Sequence, residues 1–168
     1  MRLLGLDPGL RTTGWGVIDA MDNRLRWVAD GIVRSDASLS LAERLAQLHR
    51  GILAVIALQN PDAAAVEETF VNQNPASTLK LGQARGAVLL AASLSGLPVA
   101  EYAPRLVKQS LVGTGRADKD QVGLMVRQLL PGCQASQSDA TDALAVAICH
   151  AHHHGTARKI QAALERAS

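Results

Sequence analysis

Four carboxylates carry the clearest chemical signal in this 168-residue chain: Asp7, Glu67, Asp139 and Asp142. Asp7 closes the run Arg2-Leu3-Leu4-Gly5-Leu6, and Glu67 closes Asp62-Ala63-Ala64-Ala65-Val66. Asp139 and Asp142 open a segment that continues through Ala143-Leu144-Ala145-Val146-Ala147-Ile148-Cys149. A carboxylate in apolar surroundings is expensive unless it is paired or binds a metal, and no run of Lys or Arg lies beside these four. Oxygen-only donors suit Mg²⁺, with Mn²⁺ as a substitute. Two such ions roughly 3.5–4 Å apart can activate a water and stabilise a leaving oxygen during in-line phosphodiester hydrolysis. The expected chemistry is therefore hydrolysis at a site where the four acids are both metal ligands and catalytic groups.

Each acid also has a simpler reading. Asp139 and Asp142 stand three apart, on one face of a helix, and acids near a helix start are stabilised by its free amides and dipole. That accounts for Asp139 better than for Asp142, which shares a stripe with Val146 and Cys149 on a helix that is apolar almost all round and so is expected to be buried. Asp7 opens an Asp-Pro-Gly turn. Glu67 has no turn role. Glu68 follows it directly, but alternation along a strand lets only one of the two face the site.

The elements that must position these groups follow from the hydrophobic pattern. Arg2–Asp7 reads as a buried strand, Thr13–Asp19 as a second, and Leu25–Val33 as a third in a meander. Ser40 can cap a helix with Leu41, Leu45, Leu48, Ile52 and Ile56 on one face, stopped by Pro61. Ala63–Glu67 returns as a strand. Helices over about Ala76–Ser95, Pro104–Val112 and Lys119–Leu130 follow, with a short strand around Pro98–Tyr102 after the first. The last helix runs from near Asp139 to about His152. This order predicts an α/β fold with a mixed five-stranded sheet flanked by helices, one domain over residues 1–155, and a polar tail over 156–168 that can fray.

The net charge of +2 is mild, but its distribution is sorted. Between residues 71 and 117 the charged side chains are Lys80, Arg85, Arg105, Lys108 and Arg116 against Glu101 alone. A basic surface beside an acidic metal site is what a phosphodiester substrate needs; ordinary solvated charge is the plainer alternative. Aromatic residues are scarce, and Phe70, just past the Glu67 strand, is placed to stack on an unpaired base unless it folds back onto the core. No stretch is long and apolar enough to cross a membrane. Cys133 and Cys149 lack metal-type spacing, and a cytoplasmic location is expected. The His150–His154 run reads as a partly solvated helix end.

Several of these segments together carry a resemblance. Asp7-Pro8-Gly9 with Thr13-Gly14-Trp15-Gly16, and Val66-Glu67-Glu68-Thr69-Phe70, resemble the RuvC family of Holliday-junction resolvases. So do Leu79-Lys80-Leu81-Gly82-Gln83-Ala84-Arg85-Gly86, Tyr102–Gln109, and Asp139-Ala140-Thr141-Asp142-Ala143-Leu144-Ala145. The resemblance spans essentially the whole chain in order. It implies an RNase H-like fold, a homodimer, paired nicking of four-way DNA junctions, and RuvA and RuvB as branch-migration partners. It places the catalytic acids on Asp7, Glu67, Asp139 and Asp142, a junction-centre role on Phe70, and Lys108 and Lys119 near the scissile phosphate. Arg105, Arg116, Lys80 and Arg85 are further candidates for backbone contacts. Gly82 and Gly86 in a helix suggest close approach by the sheet or by a second subunit. Competing readings are an RNase H-like nuclease for RNA or other branched DNA, a non-catalytic junction binder, and an actin-like nucleotide-binding protein. The last needs a second lobe for which the chain has no room.

Overall fold

The computed structural model describes residues 1–21, 24–68 and 74–167, with side chains through residue 155. β1 (Arg2–Asp7), β2 (Thr12–Met21) and β3 (Arg24–Arg34) form the expected meander, and β4 (Ala63–Glu67) and β5 (Val99–Tyr102) complete a sheet of order β3-β2-β1-β4-β5. β1 pairs antiparallel with β2 and parallel with β4, and β4 pairs parallel with β5. The sheet is mixed, as the element order requires. Because β1 and β4 run the same way, Asp7 and Glu67 emerge at the same edge.

α1 (Leu41–Gln59) starts at a Ser40–Glu43 capping box and ends at Asn60, whose φ of 48° is left-handed. With α2 (Pro75–Leu94) it covers one face of the sheet over Leu4, Leu6, Val17 and Val66, with Val88 of α2 packed among them. The other face carries α5 (Ser138–Ala167), roofed by α3 (Pro104–Val112) and α4 (Lys119–Leu129). This sandwiched position explains why residues 143–150 are buried without a polar side. Cys149 is among them. The backbone of α5 continues beyond the expected end near His152 to Ala167. The polar composition of that stretch concealed the helical continuation.

Two glycines decide how closely α5 approaches the sheet. A Cβ on Gly5 would collide with the Ala143 carbonyl, and one on Gly14 with the Asp139 carbonyl. Bare backbone at these positions lets the first turns of α5 lie directly on β1 and β2. The start of β1 is pinned by Asp19, which receives Arg2 Nε at 2.9 Å and Arg26 at 2.5 Å.

Candidate active site

The parallel pairing of β1 and β4 and the close seating of α5 bring three acids from distant parts of the chain into one cleft. Asp7, Glu67 and Asp142 line a cavity of about 260 Å³ together with Pro104, Val107, Lys108, Lys119, Val122 and Ala145. Asp139 adjoins it from the first turn of α5, where Thr12 Oγ1 donates to Asp139 Oδ2 at 2.6 Å. Glu68 is exposed and its N–H bonds the Tyr102 carbonyl, leaving Glu67 as the residue that enters the cleft.

The electrostatics report crowding. Burial, followed by the negative charges of Glu67, Asp142 and Asp139, pushes the Asp7 carboxyl up to about 8. Glu67 is also raised, chiefly by burial and then by Asp142, with a hydrogen bond from Asp7 acting in the opposite sense. Among the described residues the one direct counter-charge is Lys119, whose Nζ lies 2.9 Å from Asp142 Oδ2 and whose pKa rises in response. That pair is lopsided, with Lys119 73% exposed and Asp142 23% exposed. Lys108 lines the same cleft and lowers Glu67 slightly through its charge.

A cluster holding more negative charge than its neighbours neutralise, with oxygen donors only, fits hard divalent cations. Among the described residues no three acids, histidines or cysteines already converge closely enough to hold an ion together. Ligation would draw these carboxylates closer together, and Asp142 Oδ1 is not engaged by Lys119.

The remaining sequence candidates fall in different places. Phe70 lies outside the described residues. Arg105 and Arg116 are exposed on α3 and on the loop before α4, and Lys80 is exposed on α2. Arg85 is engaged within the fold: its Nε donates to the Glu67 carbonyl at 3.2 Å and its guanidinium pairs with Glu101. It thereby ties α2 to the ends of β4 and β5. At the start of α4, Asp118 caps the Gln121 amide, so one of the free amides expected beside Lys119 is already occupied.

Thr12 was not singled out by sequence, although its place in the alternating series Thr12, Gly14, Gly16 puts it on the face that meets α5. Nor was the contact between Tyr102 and His150, 2.8 Å apart, which assigns the first histidine of the run to the core.

A mixed sheet of this order, with acids at the ends of its adjacent parallel strands and on the helix crossing them, defines an RNase H-like fold with an acidic cleft bordered by lysines. The family model for crossover junction endodeoxyribonuclease RuvC matches residues 3–150. A protein of that name from Paramagnetospirillum magneticum is 73% identical over 99% of this chain and 100% of its own length. One from Rhodospirillum rubrum is 66% identical over 99% of this chain and 98% of its own. Thermus thermophilus RuvC, solved in complex with a Holliday junction substrate, superposes with a TM-score of 0.86 at 37% identity, covering 94% of this chain and 96% of that one. The chain belongs to the RuvC family of crossover junction endodeoxyribonucleases.

Proposed function

We propose that this protein is a structure-selective DNA endonuclease that resolves four-way Holliday junctions by paired symmetric nicks in recombination and repair. The observation that carries this reading is the convergence of Asp7, Glu67 and Asp142, with Asp139 beside them, in a cleft bordered by Lys108 and Lys119. Membership of the RuvC family makes a DNA junction the substrate of choice.

Asp7, Glu67, Asp139 and Asp142 are assigned as ligands for divalent cations, Mg²⁺ with Mn²⁺ as substitute, and two ions per site suit the number of carboxylates. When bound, the cations supply water activation and stabilisation of the leaving oxygen. The rest is done by the chain. Asp7, at the centre of the mutual repulsion, anchors the cage. Thr12 holds one Asp139 oxygen and leaves the other free to ligate. Lys119 and Lys108, both lining the cleft, oppose the charge of the phosphate. Phe70 is assigned to stacking at the junction centre, and Lys80, Arg105 and Arg116 to more distant DNA-backbone contacts. Arg85, though retained as a candidate, has its charge directed to Glu101.

A junction has approximate two-fold symmetry, so a homodimer would offer one cleft to each of two equivalent strands. Leu79, Leu90 and Leu94 on α2 are 65%, 51% and 70% exposed. They share a stripe with Gly82 and Gly86, where a Cβ would meet nothing within the chain. Of the two explanations for these glycines, approach by a second subunit is the one this surface supports. RuvA and RuvB as partners and a cytoplasmic location follow from the family resemblance and the reduced-cysteine reading. Among the described residues no helix is long and apolar enough to cross a membrane. A non-catalytic junction binder is disfavoured because all four acids are present.

The test is incubation of the purified protein with a synthetic four-way junction and a matched linear duplex, in Mg²⁺, Mn²⁺ or EDTA. Paired nicks in the junction alone, abolished by EDTA, are expected. Equal treatment of junction and duplex would overturn the proposal.

A further inference from the structure

The carboxylate cleft has two rims. One is built from α3 and α4 and carries Lys108 and Lys119. The other is the end of the β2–β3 ribbon, where Thr12 meets Asp139. On this second rim Thr12 pairs with Arg34 across the antiparallel ladder. Directly opposed residues project on the same face of a sheet, and the Thr12 hydroxyl fixes that face as the one under α5. The neighbouring Val33 obeys the alternation, its methyls lying against Gly51 of α1 on the opposite face. Arg34 therefore leaves the sheet on the α5 side, next to the Asp139 end of the cleft.

Arg34 is exposed and its side chain has no hydrogen bond or ion pair among the described residues. Neither Asp139, held through one oxygen by Thr12, nor Asp36, held by the amide and hydroxyl of Ser38 at 2.9 and 2.7 Å, pairs with it. The backbone beneath it is held. Ser35 N–H donates to the Arg11 carbonyl at 3.1 Å. The Ser35 hydroxyl bonds the Leu10 carbonyl, and Arg44 Nε donates to Ser35 Oγ at 3.0 Å. A fixed backbone thus presents an unpaired guanidinium beside a cluster of like-charged acids. Those acids repel a nucleic-acid strand laid across them, so cations on a single rim would leave half of the approach unfavourable.

We propose that Arg34 is a phosphate-backbone contact that holds the DNA strand on the β2–β3 rim, opposite Lys108 and Lys119. This rests on the junction-nuclease reading above. A guanidinium suits the task because its planar donors match phosphate oxygens. The contact positions the strand and reads no bases.

The experiment is fluorescence anisotropy with a labelled four-way junction in EDTA across a series of salt concentrations. Wild type is compared with Arg34→Ala, Arg34→Lys and Arg24→Ala. Arg24 is also exposed and begins the same strand at its other end, so its removal changes net charge equally. Arg34→Ala is expected to weaken binding roughly 5–10-fold near 0.1 M salt and to lower the log–log salt slope by about one. Arg34→Lys should recover most of the affinity, and Arg24→Ala should match wild type. Wild-type affinity and slope in Arg34→Ala would overturn the proposal, as would an equal loss in Arg24→Ala, which would mark a long-range charge effect. If wild type itself fails to prefer the junction to a matched duplex, the underlying function falls and takes this proposal with it. Tight wild-type junction binding with an indifferent Arg34→Ala would remove only the contact.

Discussion

Asp7 concentrates the conflict on which the proposed chemistry depends. Its carboxyl is pushed up to about 8, above its ordinary value of 3.8, by burial and three acidic neighbours. In the metal-free protein it therefore binds a proton in the folded state that the unfolded chain releases at lower pH. Folding stability from this group is present below about pH 4 and is lost as pH rises through about 8. Asp7→Asn removes the repulsion and should raise the metal-free melting temperature at pH 8, at about 2–4 °C per kcal/mol relieved. The same variant should keep junction binding while losing about 10³-fold or more in cleavage, because several kcal/mol of transition-state stabilisation disappear with the metal anchor. Near-normal cleavage by this variant would mean that the site is misassigned. Thr12 acts one step removed, as a positioning residue for Asp139. Thr12→Val should weaken Mn²⁺ binding measured by calorimetry, while Thr12→Ser restores it. Equal binding by both variants would leave the hydroxyl with a packing role only.

Among the elements, α5 is the one on which the site depends most. It supplies Asp139 and Asp142, and it can reach the strand ends because Gly5 and Gly14 leave no side chain between helix and sheet. Gly14→Ala forces a methyl against the Asp139 carbonyl. It should destabilise the fold by about 1–3 kcal/mol in denaturant unfolding and impair cleavage beyond what the lost stability explains. Near its middle α5 is anchored by buried His150, bonded to Tyr102 on β5. Burial, then the nearby His154 and His153, lowers the His150 pKa below 6.5, so the folded state favours the neutral ring. The stability this provides is complete above about pH 7 and declines as pH falls through 6.5 towards the lowered value. The melting-temperature gap between wild type and His150→Gln should accordingly narrow on acidification from pH 7.5 to 5.5. A constant gap would show that the ring is not held neutral.

At the scale of the whole molecule, the α2 stripe of Leu79, Gly82, Gly86, Leu90 and Leu94 is more apolar than a solvated helix needs to be, and it lies away from the carboxylate cleft on the helix covering the opposite sheet face. A double substitution Leu90→Asp and Leu94→Asp should convert the proposed homodimer to a folded monomer in sedimentation velocity. It should uncouple the two nicks in a junction, since two clefts would no longer be delivered together. A variant that still sediments as a dimer would place the subunit interface elsewhere.

The amino-acid order by itself determined the mixed α/β architecture and most element boundaries, and it singled out the four acids as candidates. Each of those is written in local terms: the alternation of β1, the Ser40–Glu43 cap, Pro61 after α1, and carboxylates at the ends of apolar runs. Strand alternation, a short-range rule, also limited the cleft to one of Glu67 and Glu68, and the structure made it Glu67. The sequence missed the continuation of α5 past His152, where polar composition resembles a tail and only the backbone reveals the helix. It could not reveal that Arg85 turns to Glu101 and the Glu67 carbonyl, that Thr12 grips Asp139, or that Arg34 stands on the facing rim. Those facts depend on strand register and on the depth at which α5 seats against the sheet. Both are set by contacts between residues far apart in the chain, which no local pattern encodes.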